Sequence, residues 1–150
     1  MLMEKLNLPS FDFNIRESSE GREIWDEFRK KYIQLTPEEW VRQNFLRFLV
    51  EELSYPKSLL KVEASLKYNR MSKRPDIIAY NGEGNAEMLV ECKASYVKIT
   101  EETFKQASVY NTVVKARYLV VTNGMQHFCC EQNFETGISS FLKQIPEYPG

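Results

Sequence analysis

Three charged residues have the types and spacing needed for metal-assisted chemistry. Asp76 begins one predicted strand, while Glu91 and Lys93 lie on the strand that follows it. Alternate side chains of a strand share a face, so Glu91 and Lys93 point the same way from a largely apolar strand. If the turn at 81–85 pairs the two strands as a hairpin, Asp76 approaches Glu91 across the ladder. Two carboxylates and one lysine would then share a small volume.

This combination is suited to hydrolysis of a phosphodiester bond. Mg²⁺ typically binds one or two carboxylates and keeps water and substrate phosphate as its other ligands. Such a metal polarises the phosphodiester and lowers the pKa of a bound water, and a neighbouring lysine orients that water or offsets the developing charge. The residues therefore predict a Mg²⁺-dependent nuclease site, with Mn²⁺ as a substitute ion. The alternative is a structural cross-strand ion pair.

Helical and extended patterns supply the elements that would hold these residues. Thr36 before Pro37 predicts a helix start, and Glu39 stands where a capping box would place it. Arg42 lies on the same helix, where a solvent-facing side chain is expected and a phosphate contact is the alternative. The pattern predicts helices over 36–53 and 100–115 and strands over 76–80, 87–94, 118–122 and 126–131, besides a strand that includes Val62, Ala64 and Leu66. Strands 87–94 and 118–122 are expected to be parallel, because a helix connects them.

The whole chain is predicted to form one domain with an α/β (α+β) fold, a mixed β-sheet flanked by helices. Residues 1–35 are expected to form an N-terminal β-hairpin extension, 36–145 the core, and 146–150 a frayed tail. A closing helix is predicted from the spacing of Ile138, Phe141, Leu142 and Ile145.

Four short motifs resemble a known nuclease group. They are Arg74-Pro75-Asp76, Glu91-Cys92-Lys93, Gln106-Ala107-Ser108-Val109-Tyr110 and Val121-Thr122-Asn123-Gly124. Together they resemble the PD-(D/E)xK nuclease superfamily, and over about residues 36–130 the chain is similar to the N-terminal nuclease domain of type I restriction endonuclease R subunits. The resemblance implies a restriction-endonuclease-like core.

The resemblance also implies roles for individual residues. Asp76 and Glu91 would be metal ligands, the Cys92 carbonyl a further ligand, and Lys93 the catalytic lysine. Many superfamily members use one more acidic residue on the first helix. Here that choice stays open among Glu38, Glu39, Glu51 and Glu52, although the offset of Glu39 from Thr36 favours a capping role for it.

Contacts to nucleic acid are expected from two parts of the chain. The resemblance implies that Gln106 and Tyr110 contact the active site or DNA, with Gln106 positioning the substrate phosphate as part of the catalytic set. Residues 57–74 contain six basic residues and one acidic residue, a local charge of 6 − 1 = +5. Lys73 and Arg74, at its end, are therefore predicted to bind nucleic acid, against the alternative of a solvated basic loop.

The expected partners follow from this function. DNA is the predicted substrate, and other restriction-system or motor subunits are the predicted protein partners. The 150 residues contain no Gly-x-x-x-x-Gly-Lys-Ser/Thr loop, so the chain is not expected to translocate DNA by itself. Cleavage of both strands requires two active sites or two events, which is compatible with a homodimer, although no residue points to one.

Composition excludes several other classes of protein. A hydrophobic fraction of 43% and a net charge of −1 exclude a disordered chain and a uniformly basic binder. No apolar run approaches the ~18 residues of a membrane helix, and a cytoplasmic protein is expected. The three cysteines are predicted to be buried thiols, and the single histidine, His127, a structural residue. A second hypothesis is a catalytically silent nucleic-acid-binding or partner-docking module with the same fold.

Overall fold

The structure, a computed structural model, describes residues 3–63 and 74–150, which contain two sheets and two α-helices. The small sheet is antiparallel and has the order β1-β2-β3. Its strands are β1 (Ile15–Ser18), β2 (Gly21–Asp26) and β3 (Lys31–Gln34). The large sheet is mixed and has the order β4-β5-β6-β7-β8-β9. Its strands are β4 (Leu60–Val62), β5 (Ile77–Tyr80), β6 (Ala86–Cys92), β7 (Tyr118–Thr122), β8 (His127–Gln132) and β9 (Ser139–Leu142).

Helix α1 (Pro37–Glu51) lies on one face of the large sheet. Its start is the predicted one, because the Thr36 side chain accepts a hydrogen bond from the Glu39 amide and proline occupies the first turn. Val41, Phe45 and Leu49 are fully buried against the sheet, as their helical spacing predicted. The helix thereby closes the larger of two hydrophobic clusters.

Helix α2 (Glu101–Val114) covers the other face and joins β6 to β7. Thr100 caps it, and Thr103 completes a capping box. Strands β6 and β7 are parallel, with Val90 opposite Val120, which confirms the predicted crossover. The mixed sheet flanked by helices is therefore the predicted fold.

The predicted closing helix is wrong, because residues Ser139–Leu142 form strand β9 against β8. Asn133 and Gly137 form a turn that directs the chain back, with the Gly137 amide 2.8 Å from the Asn133 carbonyl. Gly137 has a φ of +74°, a conformation that ends helical continuity and favours glycine. In the strand, Leu142 packs toward the α1 cluster while Phe141 lies on the α2 side against Phe104. The i, i+3, i+4 spacing of Ile138, Phe141 and Leu142 suggested a helix. Instead, this segment forms a strand that pairs with the edge of β8.

Both ends of the chain are more ordered than the sequence suggested. The N-terminal extension has three strands, so it exceeds the predicted hairpin. The tail expected to fray is held instead, since the Tyr148 amide donates to the Leu53 carbonyl at 2.9 Å and the Tyr55 hydroxyl donates to Pro146 at 2.9 Å. Of the predicted strand that includes Val62, the structure describes Leu60–Val62, while Ala64 and Leu66 lie outside the described residues.

The segment before β1 closes over the turn between β7 and β8. The Asn7 amide donates to the Gly124 carbonyl at 2.8 Å, and the His127 ring contacts the Asn7 carbonyl at 2.9 Å. Leu6 lies so close to Gly124 that an added Cβ would come within 2.9 Å of the leucine side chain. His127 therefore has a structural role, as its sequence context predicted.

Candidate active site

Asp76, Glu91 and Lys93 lie where several strands of the large sheet end. Ile77 pairs with Val90 in the antiparallel β5–β6 ladder, which places Asp76 opposite Glu91 one position further on. Lys93 follows directly after β6, and its amide donates to the Thr122 carbonyl at 2.8 Å. This end of the sheet, formed by the start of β5 and the ends of β4, β6 and β7, is called the site edge below.

Four of the predicted residues line one cavity beside the site edge. The cavity has a volume of about 310 Å³ and is lined by Glu91, Lys93, Gln106 and Tyr110, together with neighbouring residues of α2. The Lys93 Nζ lies 3.7 Å from Glu91 Oε1. Glu91 is 5% exposed, whereas Gln106 is exposed at the rim. The structure thus brings an acid, an ammonium and two hydrogen-bonding side chains together around one space.

Asp76 is buried at the site edge and is bonded on both of its oxygens. Arg42 donates to Oδ1 from Nε at 3.1 Å and from Nη2 at 2.5 Å. Oδ2 accepts the Cys92 amide at 2.7 Å. The carboxylate therefore bonds the backbone at the end of β6 and also forms a buried ion pair with Arg42 of α1.

The sequence interpretation of Arg42 as a solvent-facing side chain is wrong, because its side chain is only 7% exposed. Burial opposes the charge of the guanidinium, yet Asp76 and Glu39 raise the pKa of Arg42 above its ordinary value. Its Nη1 lies 2.6 Å from Glu39 Oε1. Arg42 thus bridges the carboxylate of the site edge and a carboxylate of the helix.

The predicted capping box is only half formed. The Thr36 side chain accepts the Glu39 amide, but the Glu39 side chain does not accept the Thr36 amide. The Glu39 side chain accepts hydrogen bonds from Arg29 and Gln43, each at 2.9 Å, besides the bond from Arg42. Thr36 donates its own amide to Gln34 instead. Among the four first-helix acids left open by the sequence, Glu39 is the one that shares a cation with Asp76. Glu39 is thus linked to the site edge through Arg42, while Glu38 acts electrostatically on Cys92 at the same edge, and the choice of a helix acid stays open.

Comparisons with known proteins agree with this arrangement of sheet and helices. A family model for the N terminus of the type I restriction enzyme R protein matches residues 37–146. The chain belongs to this family. No curated protein matches it. A solved fragment of a protein described as the HsdR subunit of a type I restriction enzyme from Vibrio vulnificus YJ016 is similar, with a TM-score of 0.54 and 18% identity.

That structural similarity covers 75% of this chain and 24% of the Vibrio chain. At this identity it concerns the fold. The predicted resemblance to R-subunit N-terminal domains and the predicted mixed fold are therefore confirmed. Membership of the wider PD-(D/E)xK superfamily stays a prediction that depends on the residue motifs.

The donors at the site edge of this R-protein N-terminal domain suit a cation that keeps much of its water. Asp76 and Glu91 supply two carboxylates and the Cys92 carbonyl a further oxygen at this end of the sheet, although Arg42 and the Cys92 amide already bond both Asp76 oxygens. Within residues 3–63 and 74–150 there is no group of three or more His, Cys, Asp or Glu side chains arranged for a metal. Mg²⁺ is commonly held by one or two carboxylates plus phosphate, so the available donors fit it better than an ion that needs a complete protein shell.

The remaining predicted residues have different placements. Arg74 is exposed and lies two positions before Asp76, while Lys73 lies outside the described residues. The three cysteines are free and buried, as predicted. Burial raises the pKa of the Cys92 thiol well above its ordinary value, which disfavours a nucleophilic thiolate. Neither described helix is long and apolar enough to cross a membrane.

Sequence reasoning missed the polar network behind the site. Asp26, at the end of β2, is fully buried and bonds Arg29, which also contacts Glu39 and Glu63. Arg29 and Asp26 are far from the nuclease-like motifs in sequence. The available signal was the acid–base spacing of Glu39 and Arg42, which are three residues apart on α1 and so share a helix face.

Proposed function

We propose that this chain is a metal-dependent nuclease domain that hydrolyses DNA phosphodiester bonds. The cavity lined by Glu91, Lys93, Gln106 and Tyr110, next to buried Asp76, is the observation that supports it most. Membership of the R-protein N-terminal family adds support, since the family's name places it in DNA restriction. Other restriction-system or motor subunits are proposed as partners, a homodimer is compatible with double-strand cleavage, and a cytoplasmic location is expected.

Each residue has a proposed part in the reaction. Asp76, Glu91 and the Cys92 carbonyl would hold Mg²⁺, or Mn²⁺ in its place, which when bound polarises the phosphodiester and makes a water more acidic. Lys93 would orient or deprotonate the attacking water, or offset charge on the phosphoryl oxygens. Gln106 would position the phosphate, and Tyr110, Arg74 and Lys73 would contact the DNA.

Lys93 gives the most direct test of these assignments. Lys93→Ala should lower the rate of plasmid nicking by about 10²–10⁴-fold, the range for loss of a positioned acid–base group. Folding should be retained, because the side chain is partly exposed. Lys98→Ala is the matched control, since it removes a nearby exposed lysine outside the cavity lining. An unchanged nicking rate in Lys93→Ala would refute the catalytic assignment.

The activity itself is tested by nicking of supercoiled plasmid with purified protein in Mg²⁺ and in Mn²⁺. Glu91→Ala, purified identically, controls for contaminating nuclease. Cleavage by the native chain and not by the variant supports a self-sufficient nuclease. Absence of cleavage by both proteins contradicts self-sufficient activity and favours the second candidate function.

That second candidate is a catalytically silent nucleic-acid-binding or partner-docking module. One observation favours it specifically: Arg42 already neutralises Asp76, the first proposed metal ligand, at 2.5 Å. DNA binding in the absence of divalent ions, without strand breaks in any of them, is the expected behaviour of such a module.

A further inference from the structure

A groove lies between the β2–β3 turn and edge strand β4, on the other side of β5 from the catalytic cavity. It has a volume of about 390 Å³, and its lining includes Lys30, Lys57, Lys61 and Glu27. The three lysines are exposed, so the accessible charge of the groove is 3 − 1 = +2. The chain as a whole carries −1, and the groove is therefore a local basic surface on a nearly neutral protein.

Two of the three lysines are available for a ligand. Lys57 pairs with Glu27 at 2.6 Å. Within residues 3–63 and 74–150, Lys30 and Lys61 form no ion pair at contact distance, although Lys30 acts on Glu27 at longer range. The fourth basic residue of the lining, Arg29, is neutralised by Asp26, Glu39 and Glu63 and so supports the groove wall.

The turn that presents Lys30 is fixed before any ligand arrives. Asp26 is fully buried, and its Oδ1 accepts the amides of Phe28 and Arg29 at 2.7 and 3.1 Å. The Lys30 amide donates to the Asp26 carbonyl at 2.8 Å, and Lys30 has a φ of 55°. A preorganised lysine loses less conformational entropy on binding than one on a mobile loop.

The groove continues directly from the site edge. Val62 pairs with Ile77, and the Glu63 amide donates to the Asp76 carbonyl at 3.0 Å. Neighbouring strands are about 4.8 Å apart, so the groove strand β4 lies about 10 Å from the strand that carries Glu91. Glu63, which lies between, contacts Arg29 at 3.0 Å and Arg42 at 3.5 Å.

We propose that this groove binds the phosphate backbone of the DNA strand that flanks the scissile bond, with Lys30 and Lys61 as its phosphate contacts. The inference rests on the proposed nuclease function, and it adds the path that the substrate takes across the site edge. Lysine contacts to phosphate position a nucleic acid without reading its sequence. The groove therefore contributes affinity and register rather than base specificity.

The salt dependence of DNA binding tests this path. Binding of a fluorescein-labelled 30-base-pair duplex is measured by anisotropy in EDTA over a series of NaCl concentrations. The groove variant is Lys30→Gln with Lys61→Gln. The control is Lys115→Gln with Lys143→Gln, which removes two exposed lysines outside the groove. Loss of two phosphate contacts should reduce the slope of log K against log[NaCl] by about 1.8 in the groove variant, with the native slope kept in the control.

Chemical acetylation gives a second readout on the unmodified protein. DNA should protect Lys30 and Lys61 from acetylation and leave Lys115 reactive. Equal slopes for the native protein and the groove variant, with no protection of Lys30 and Lys61, would overturn the groove while leaving the nuclease proposal intact. Absence of DNA binding by the native protein at low salt would instead refute the nucleic-acid function itself. Binding of polyglutamate that is lost in the groove variant, with the DNA slope unchanged, would assign the groove to an acidic protein and overturn the DNA path.

Discussion

At the scale of single residues, Arg42 decides how two buried carboxylates coexist near the site edge. It contacts Asp76 and Glu39, which are 2% and 5% exposed, and it is 6% exposed itself. A buried carboxylate without a partner is costly, whereas a paired and hydrogen-bonded one is tolerated. Arg42 therefore permits an acid to occupy the site edge before any metal binds.

Removal of Arg42 tests this requirement. Arg42→Met preserves much of the side-chain volume but leaves Asp76 without its cation, so the free energy of unfolding should fall by about 3–5 kcal/mol. Arg47→Met is the control on the same helix. Its ion pairs with Glu27 and Glu51 are partly exposed and longer, at 4.0 and 3.4 Å, and their loss should cost less than about 1 kcal/mol. Urea unfolding followed by circular dichroism measures both changes, and equal effects of the two substitutions would contradict the role of Arg42.

The residue scale also shows what the sequence could predict at the site. Strand alternation predicted a shared face for Glu91 and Lys93 and helix spacing one for Gln106 and Tyr110, whereas the place of Gln106 and Tyr110 beside the site was implied by the family resemblance. The partner of Asp76 was not predictable in the same way. Arg42 is 34 residues away, and a charged residue on a helix is more often solvated than buried. Its burial follows from tertiary packing that no local pattern encodes.

At the scale of elements, sequence patterns predicted the secondary structure correctly where tertiary packing favoured the same structure. Helices α1 and α2 have capping residues and apolar spacing that agree with their burial. The segment of β9 had a helical spacing, yet the open edge of β8 and the turn at Gly137 favoured a strand. The predicted helix over about residues 138–145 would also be too short to be stable without tertiary support. The helix prediction failed at β9 because pairing with β8 outweighed the local helical preference of the segment.

The contact between His127 and the segment before β1 should make the stability of the protein depend on pH. The Asn7 carbonyl can only accept, so His127 Nε2 donates to it and the neutral ring accepts from Thr122 at Nδ1. Burial lowers the pKa of His127 below its ordinary value of 6.5. The unfolded chain therefore takes up a proton at a higher pH than the folded protein does. Stability should fall as the pH decreases through about 6.5, by at most about 1.4 kcal/mol per pH unit.

A comparison with His127→Gln isolates this contribution, because the other titrating groups are common to both proteins. The native protein should have its largest stability advantage over the variant at pH 7.5, and that advantage should shrink by pH 5.5. Urea unfolding at the two pH values measures it. A difference between the two proteins that is constant or that grows as the pH falls would refute the neutral, half-buried state of His127.

At the scale of the whole molecule, a chain of buried ion pairs connects the small sheet to the large one. Asp26 ends β2 and bonds Arg29, which reaches Glu39 on α1, and Arg42 continues the chain to Asp76 at the site edge. The N-terminal extension is thereby tied to the residues proposed for catalysis. This connection predicts that the two sheets unfold together as one cooperative unit, a behaviour that tests the single domain expected from the sequence.

The two tryptophans allow that cooperativity to be measured directly. Trp25 lies in β2 and Trp40 in α1, so Trp25→Phe and Trp40→Phe each leave one fluorescent probe in one part of the molecule. Both probes should report the same urea midpoint, since the ion-pair chain couples their surroundings. Arg29→Met, introduced into each, removes the ion pairs that join Asp26 to Glu39, keeps the Gln43 hydrogen bonds to both carboxylates, and should lower stability by about 3 kcal/mol. The Trp25 signal should then change at a lower urea concentration than the Trp40 signal.

Arg16→Met is the control for this test. It removes an exposed ion pair with Glu23 within the small sheet and should leave the two midpoints coincident. Separate midpoints in the unsubstituted background would show that the extension unfolds independently, and coincident midpoints in Arg29→Met would show that contacts other than this chain couple the two sheets.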